Sequence, residues 1–144
     1  MLLGMAADKQ ALGEALYGLA TGVVRRRSRT LSLTALSTLA TLEQTGLRRL
    51  TDLAVTEEIT QPSMTSLVSQ LEQLGLAERH RDPGDARVVL VGITRNGRQL
   101  MSTRRKAGAE SLAELIDKLD GQEAAELQAA LPALQRLVDL VTES

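Results

Sequence analysis

Between Leu50 and Gly97 the chain packs two short helix patterns, two short extended runs and the start of a third helix end to end, each junction carrying its own stop or start signal. Helices this short do not persist alone in water, so the segment must fold as one tightly packed unit. Thr51 is a good N-cap for a helix to about Thr56, with Leu53 and Ala54 facing inward. Thr60 can cap the next helix, and Pro62 falls in its first turn, where a missing N–H costs little. Leu67, Val68, Leu71 and Leu74 then form a buried stripe, and Gly75 supplies a left-handed C-terminal cap. Ala77 to Arg81 and Val88 to Ile93 read as a hairpin around Asp82-Pro83-Gly84-Asp85, with its tip near Gly84. Thr94 caps the helix that follows.

Helix, turn, helix and a two-stranded wing, in that order, make a winged helix-turn-helix. Before it, Leu12, Leu16, Leu19 and Val23 predict an amphipathic helix from about Asp8 to Arg27. Arg25, Arg26, Arg27 and Arg29 at its end read as a solvated, dipole-complementing terminus. Ser32 is the N-cap of a second helix lined by Ala35, Leu36, Leu39 and Leu42 and ended by Gly46. After the wing, Leu100, Leu112, Leu115, Ile116 and Leu119 mark a long helix. Asp120 and Glu123 make a capping-box variant for the last one, whose face is Leu127, Leu131, Leu134, Val138 and Val141. Pro132 inside that last helix costs it roughly 3 kcal/mol and predicts a kink or break. The terminal helices carry more apolar face than the small central unit can cover, which predicts a helical interface between two copies. The expected fold is therefore mainly α with a small β-wing, a single domain over 1–144. Residues 30–96 form the winged helix, flanked by dimerisation helices at 6–29 and 97–144.

Composition excludes several kinds of function. The chain has no cysteine and one histidine, His80, so thiol chemistry and a multi-histidine metal site are not expected. Glu110, Glu114 and Asp117 share a helix face without histidine partners and read as solvated. With no phosphate-cradling glycine loop and no paired nucleophile and base, the chain is expected to be neither an enzyme nor a cofactor binder. No apolar run is long enough to span a bilayer, and Met1 to Met5 lacks the features of a signal peptide, so a cytoplasmic protein without a membrane partner is expected. The formal net charge is −1, yet residues 1–47 carry +2, residues 48–106 carry +3 and residues 107–144 carry −6. Because charges act over a Debye length of about 8–10 Å, an acidic tail does not cancel a basic face elsewhere.

Three strings in order resemble the MarR family of bacterial transcription regulators. They are Leu71-Glu72-Gln73-Leu74-Gly75-Leu76-Ala77-Glu78-Arg79, Asp82-Pro83-Gly84-Asp85-Ala86-Arg87 and Leu90-Val91-Gly92-Ile93-Thr94-Arg95-Asn96-Gly97. The resemblance runs from about Asp8 to Val141. It implies a homodimeric repressor that binds double-stranded DNA at a pseudo-palindromic operator and is released by a small aromatic or drug-like effector. By position, the reading helix would start at Thr60 and offer Gln61, Ser63, Thr65, Ser66, Ser69 and Gln70 to the major groove, with Arg79, Arg81, Asp85 and Arg87 acting from the wing. In the wing's Asp-x-Arg pattern, Asp85 would hold the Arg87 guanidinium in a fixed orientation. The sequence departs from the family at Ser66, Gly84 and Ala86, positions often basic in relatives, and the reading helix contains no arginine for a bidentate guanine contact. More weight is thereby expected on phosphate contacts and DNA shape. Arg48 and Arg49 stay open between phosphate contact and solvation, and His80 reads as a surface or phosphate-facing group. An effector site is expected around Tyr17, Leu39 and Met101, with dimer-core packing as the other reading of Tyr17. The competing function is a winged-helix module that binds another protein and no DNA.

Overall fold

The computed structural model describes residues 2–25 and 31–143, with side chains at 8–22 and 31–143. Arg26, Arg27 and Arg29, and the side chains of Val23 and Arg25, lie outside them. The elements run α1 Leu2–Arg25, α2 Leu33–Thr45, β1 Arg48–Arg49, α3 Leu50–Thr56, α4 Gln61–Gln73, β2 Ala77–Arg81, β3 Val89–Ile93, α5 Arg95–Ile116, α6 Gly121–Ala129 and α7 Leu131–Thr142. They divide into two compact units, Met1–Arg105 and Lys106–Ser144.

The core of the first unit lies where the sequence stripes meet, except that Leu74, expected in the buried stripe of α4, is 56% exposed at the helix end and Leu67 is only half-buried. Ala35, Leu39 and Leu42 of α2, Leu50, Leu53 and Ala54 of α3, Met64, Val68 and Leu71 of α4, and Ala77, Val91 and Ile93 of the sheet are all buried. Thr38 is buried among them, and its hydroxyl donates to the Thr34 carbonyl at 2.8 Å, so the buried polar group is satisfied. The sheet is antiparallel in the order β1-β3-β2, with Arg49 opposite Leu90 and Arg79 opposite Val91. The hairpin is as expected apart from one residue, β3 beginning at Val89 rather than Val88. β1 was not expected, because two residues give no alternation to read. It also overturns Thr51 as a cap. Strand pairing delivers the chain into α3 with Arg49 at the N-cap position and no side-chain cap, and Thr51 lies inside the first turn.

The remaining junctions follow local chemistry. Ser32 caps α2 by accepting from the Ala35 N–H at 3.1 Å, and Thr60 caps α4. After α4, the N–H of Gly75 bonds the Glu72 carbonyl and that of Leu76 bonds the Leu71 carbonyl, with Gly75 at φ +69°. This is a Schellman ending, and glycine adopts the left-handed conformation without steric cost. Thr94 then does two jobs. Its hydroxyl donates to the Gly75 carbonyl at 2.6 Å and accepts from the Gly97 N–H at 3.0 Å, joining the end of α4 to the start of α5.

In the second unit, α5 ends at Ile116, so Leu119 falls in the turn rather than on the helix. Asp120 and Glu123 complete the expected capping box on α6. The predicted break at Pro132 occurs two residues earlier, at Ala130, which lets the proline sit in the first turn of α7. Among the described residues, no helix is long and apolar enough to cross a membrane.

Candidate nucleic-acid interface

Core packing on Met64, Val68 and Leu71 fixes which way the rest of α4 faces. Gln61, Thr65 and Ser69, spaced at i, i+4 and i+8, form the flank turned toward the hairpin, while Ser66 and Gln70 are exposed on the outer side. Between that flank and the wing lies an open cleft of about 600 Å³, lined by Arg49, Thr51, Gln61, Thr65, Ser69, Arg79, Arg87 and Val89 among others. The fold thus brings five of the expected site residues, Gln61, Thr65, Ser69, Arg79 and Arg87, to one concavity. It adds Arg49 and Thr51. Arg49 had been left open between phosphate contact and solvation, whereas Thr51 was not expected as a site residue and no pattern in the sequence marked it.

The polar groups along the cleft differ in how much of their bonding capacity the chain itself uses. Thr60 and Ser63 hold each other at the start of α4, with 2.8 Å between hydroxyls and the Ser63 N–H donating to Thr60 Oγ1 at 3.3 Å. Thr65 donates to the Gln61 carbonyl at 2.9 Å, and Ser69 donates to the Thr65 carbonyl at 2.9 Å. Arg79 is engaged inside the chain. Its guanidinium forms an ion pair with Glu72 and donates from Nη2 to Ser69 Oγ at 3.0 Å and to the Thr65 carbonyl at 3.2 Å.

Arg87 stands in the opposite condition. Its side chain is 92% exposed, and among the described residues its hydrogen-bond partner is Asp85: Nε donates to Oδ1 at 3.2 Å, and the backbone N–H donates to the same oxygen at 3.0 Å. The expected Asp-x-Arg geometry is present. Asp82 shapes the tip by accepting from the N–H groups of Gly84 at 2.7 Å and Asp85 at 3.1 Å. Such a turn helps Pro83-Gly84 to reverse the chain, and the bonds from the Asp82 N–H to the Val88 carbonyl at 3.2 Å and from the Val88 N–H to the Asp85 carbonyl at 2.9 Å close the loop behind it. Arg81 is exposed at the end of β2 and makes no ion pair with another described residue. His80 lies beside Glu78, with Nε2 3.2 Å from Oε1. An exposed guanidinium at a hairpin tip and a polar flank on the neighbouring helix match a phosphate backbone on one side and base edges on the other.

The expected effector residues do not gather in the same way. Leu39 is completely buried in the core and presents no surface to a ligand, Met101 packs against that core half-buried, and Tyr17 is 73% exposed. None of the three lines the cleft, nor a smaller one of about 280 Å³ lined by Leu31, Ala35, Leu67, Gln70 and Leu74 among others. Among the described residues, no group of three or more acidic or histidine side chains could hold a metal ion.

Residues 31–89 match the profile of the MarR family. The chain is 36% identical over 115 residues, covering 80% of each protein, to an uncharacterized HTH-type transcriptional regulator of Mycobacterium bovis. Its fold superposes on a transcriptional regulator of Thermotoga maritima with a TM-score of 0.75 at 19% identity, covering 96% of this chain and 99% of that one. It also superposes on a mutant MepR of S. aureus bound to an oligodeoxyribonucleotide, with a TM-score of 0.67 at 20% identity over 90% of this chain and 96% of that one.

Proposed function

Because the chain belongs to the MarR family and is a DNA-binding transcription regulator rather than an enzyme, we propose that it works as a homodimeric repressor of a pseudo-palindromic operator. The observation that carries the reading is the cleft between α4 and the wing, with Arg87 projecting from its rim. In this reading α4 enters the major groove, with Gln61 at the cleft side and Ser66 and Gln70 on the outer side. Arg87 reaches a phosphate or the minor groove. With no arginine on α4, discrimination rests on glutamine and hydroxyl contacts, which suit adenine or adapt to several bases, and on the deformability of the duplex.

Dimerisation is supported by apolar surface that the described residues leave uncovered. Leu12 and Leu19 on α1 and Leu131, Leu137, Val138 and Val141 on α7 are each exposed by more than two-fifths. A symmetric pair would bury such side chains and set two reading helices about 34–36 Å apart. Effector release is proposed through the exposed ring of Tyr17, since Leu39 is closed to a ligand. Action on DNA implies a cytoplasmic site of work.

The test is fluorescence anisotropy on duplexes recovered by selection from a random pool. Affinity that falls steeply with salt and prefers the selected duplex over random DNA is the expected result. Binding that is absent or indifferent to salt would overturn the proposal and favour a protein-binding module.

A further inference from the structure

We propose that Arg79 is a positioning residue, which locks the wing to the reading helix and makes no direct contact with DNA phosphate. The inference rests on the DNA-binding reading above and refines it, since Arg79 was expected among the DNA contacts.

Strand periodicity puts Ala77, Arg79 and Arg81 on one face of β2, and Ala77 is buried, so that face is the one turned toward α4. Arg79 sits opposite Val91, which is completely buried, so the backbone beneath it is fixed by the core. From there the side chain reaches three residues along one stripe of α4. Glu72 takes the guanidinium through one carboxylate oxygen and the Arg79 backbone N–H through the other, the latter at 3.1 Å. Ser69 Oγ and the Thr65 carbonyl accept from Nη2. Both side chains of the ion pair are about 30% exposed, 31% for Arg79 and 29% for Glu72, so water does not fully screen it.

Two consequences separate this clamp from a phosphate contact. The charge on Arg79 is already balanced, so it releases few counterions when DNA binds, whereas an unpaired arginine on a phosphate adds about one to the salt slope. Lysine keeps the charge but cannot make a planar fork to three acceptors, so it cannot replace arginine in the clamp, although it could on a phosphate. Ser69 meanwhile has its hydroxyl proton on the Thr65 carbonyl and a lone pair on Arg79. It serves as part of the clamp rather than as a reader of bases.

The experiment compares wild type with Arg79→Lys, Arg79→Gln, Glu72→Gln and the Glu72→Gln/Arg79→Gln double variant. Each is titrated by anisotropy against the selected duplex and a random one across a range of salt, and each is melted thermally without DNA. The clamp predicts about a 10-fold loss on the selected duplex for all three single variants, a double variant no worse than either single, an unchanged salt slope, and affinity for random DNA within about twofold. A slope shallower by about one in Arg79→Gln, restored by Arg79→Lys, would overturn it, as would tighter binding by Glu72→Gln. If wild type binds no duplex, the DNA reading fails by itself, and the clamp is then decided by the melts. Coupling between positions 72 and 79 in Tm supports it, and additive shifts overturn it.

Discussion

Glu43 and Arg105 lie 62 residues apart in sequence and meet through two hydrogen bonds, Nη1 to Oε2 at 2.5 Å and Nη2 to Oε1 at 3.3 Å. The pair fastens α2, whose inner side carries Leu39 and Leu42, to α5 near the end of the first compact unit. The hydrogen bond to Glu43 holds the Arg105 guanidinium above its ordinary value; desolvation opposes it, and the Glu43 charge adds the smallest contribution. A raised folded-state pKa means stabilisation that is present below the unfolded value and lost only as pH rises past it, so this bridge contributes at every ordinary pH. Arg105 is 60% exposed, which limits its worth. Glu43→Ala is expected to lower stability by roughly 0.5–1 kcal/mol, and adding Arg105→Ala should lower it little further, as read by a double-mutant cycle on chemical denaturation.

The turn between α3 and α4 contains a second, opposite case. It ends α3 with the same hydrogen-bond pattern that ends α4, Glu58 N–H to the Val55 carbonyl and Ile59 N–H to the Ala54 carbonyl, but the left-handed position is Glu58 at φ +53°. A side chain there costs about 1 kcal/mol that glycine would not. Glu58→Gly should therefore stabilise the fold by about 0.5–1 kcal/mol, while Gly75→Ala should destabilise it by about as much. Denaturation midpoints moving in the same direction for both variants would contradict the shared geometry.

These junctions explain what the sequence makes legible. Ser32, Thr60, Gly75, Thr94 and Asp120 act on backbone groups within a few residues, so their types and spacing carry the information, and the helices they bound lie close to expectation. The misses share a different physics. β1 exists because Arg48 and Arg49 meet Val91 and Leu90, partners some forty residues away that no local pattern identifies. Arg79 looked like its neighbour Arg81 until the hairpin folded back and brought Glu72 and Ser69 beside it. Leu39 was expected at an effector site, yet it faces the centre of the core, which periodicity within a single helix does not decide.

At Gly97 the backbone of α5 runs close against that of Leu76. A Cβ placed there would lie 2.2 Å from the Leu76 carbonyl oxygen and 2.6 Å from Ile93 Cγ1, and the first of these is backbone that cannot swing aside. Gly97→Ala must push α5 away from the α4–β2 junction, breaking the geometry through which Thr94 joins them. A loss of about 2–3 kcal/mol is expected, the upper part of the range for overpacking. Gly13 supplies the control. It lies within α1, where an added methyl group would meet nothing within 4 Å, so Gly13→Ala should be neutral or stabilising by up to about 1 kcal/mol.

Arg87 offers the sharpest contrast with Arg79 because both are paired with a carboxylate, yet only one pairing occupies the guanidinium. Asp85 takes one N–H of the guanidinium, at Nε, and neither Nη group of this 92% exposed side chain is hydrogen-bonded to another described residue. Exposed pairs of this kind contribute about 0–1 kcal/mol, so losing it hardly affects folding. Arg87→Ala should therefore leave Tm within a degree or two of wild type while reducing the salt slope of DNA binding by about one and weakening selected and random duplexes alike. Asp85→Asn keeps the arginine charge but loosens its orientation, so the slope should stay put while affinity falls less than in Arg87→Ala. An unchanged slope in Arg87→Ala would show that the exposed guanidinium does not touch phosphate, and the reading of the wing would fail with it.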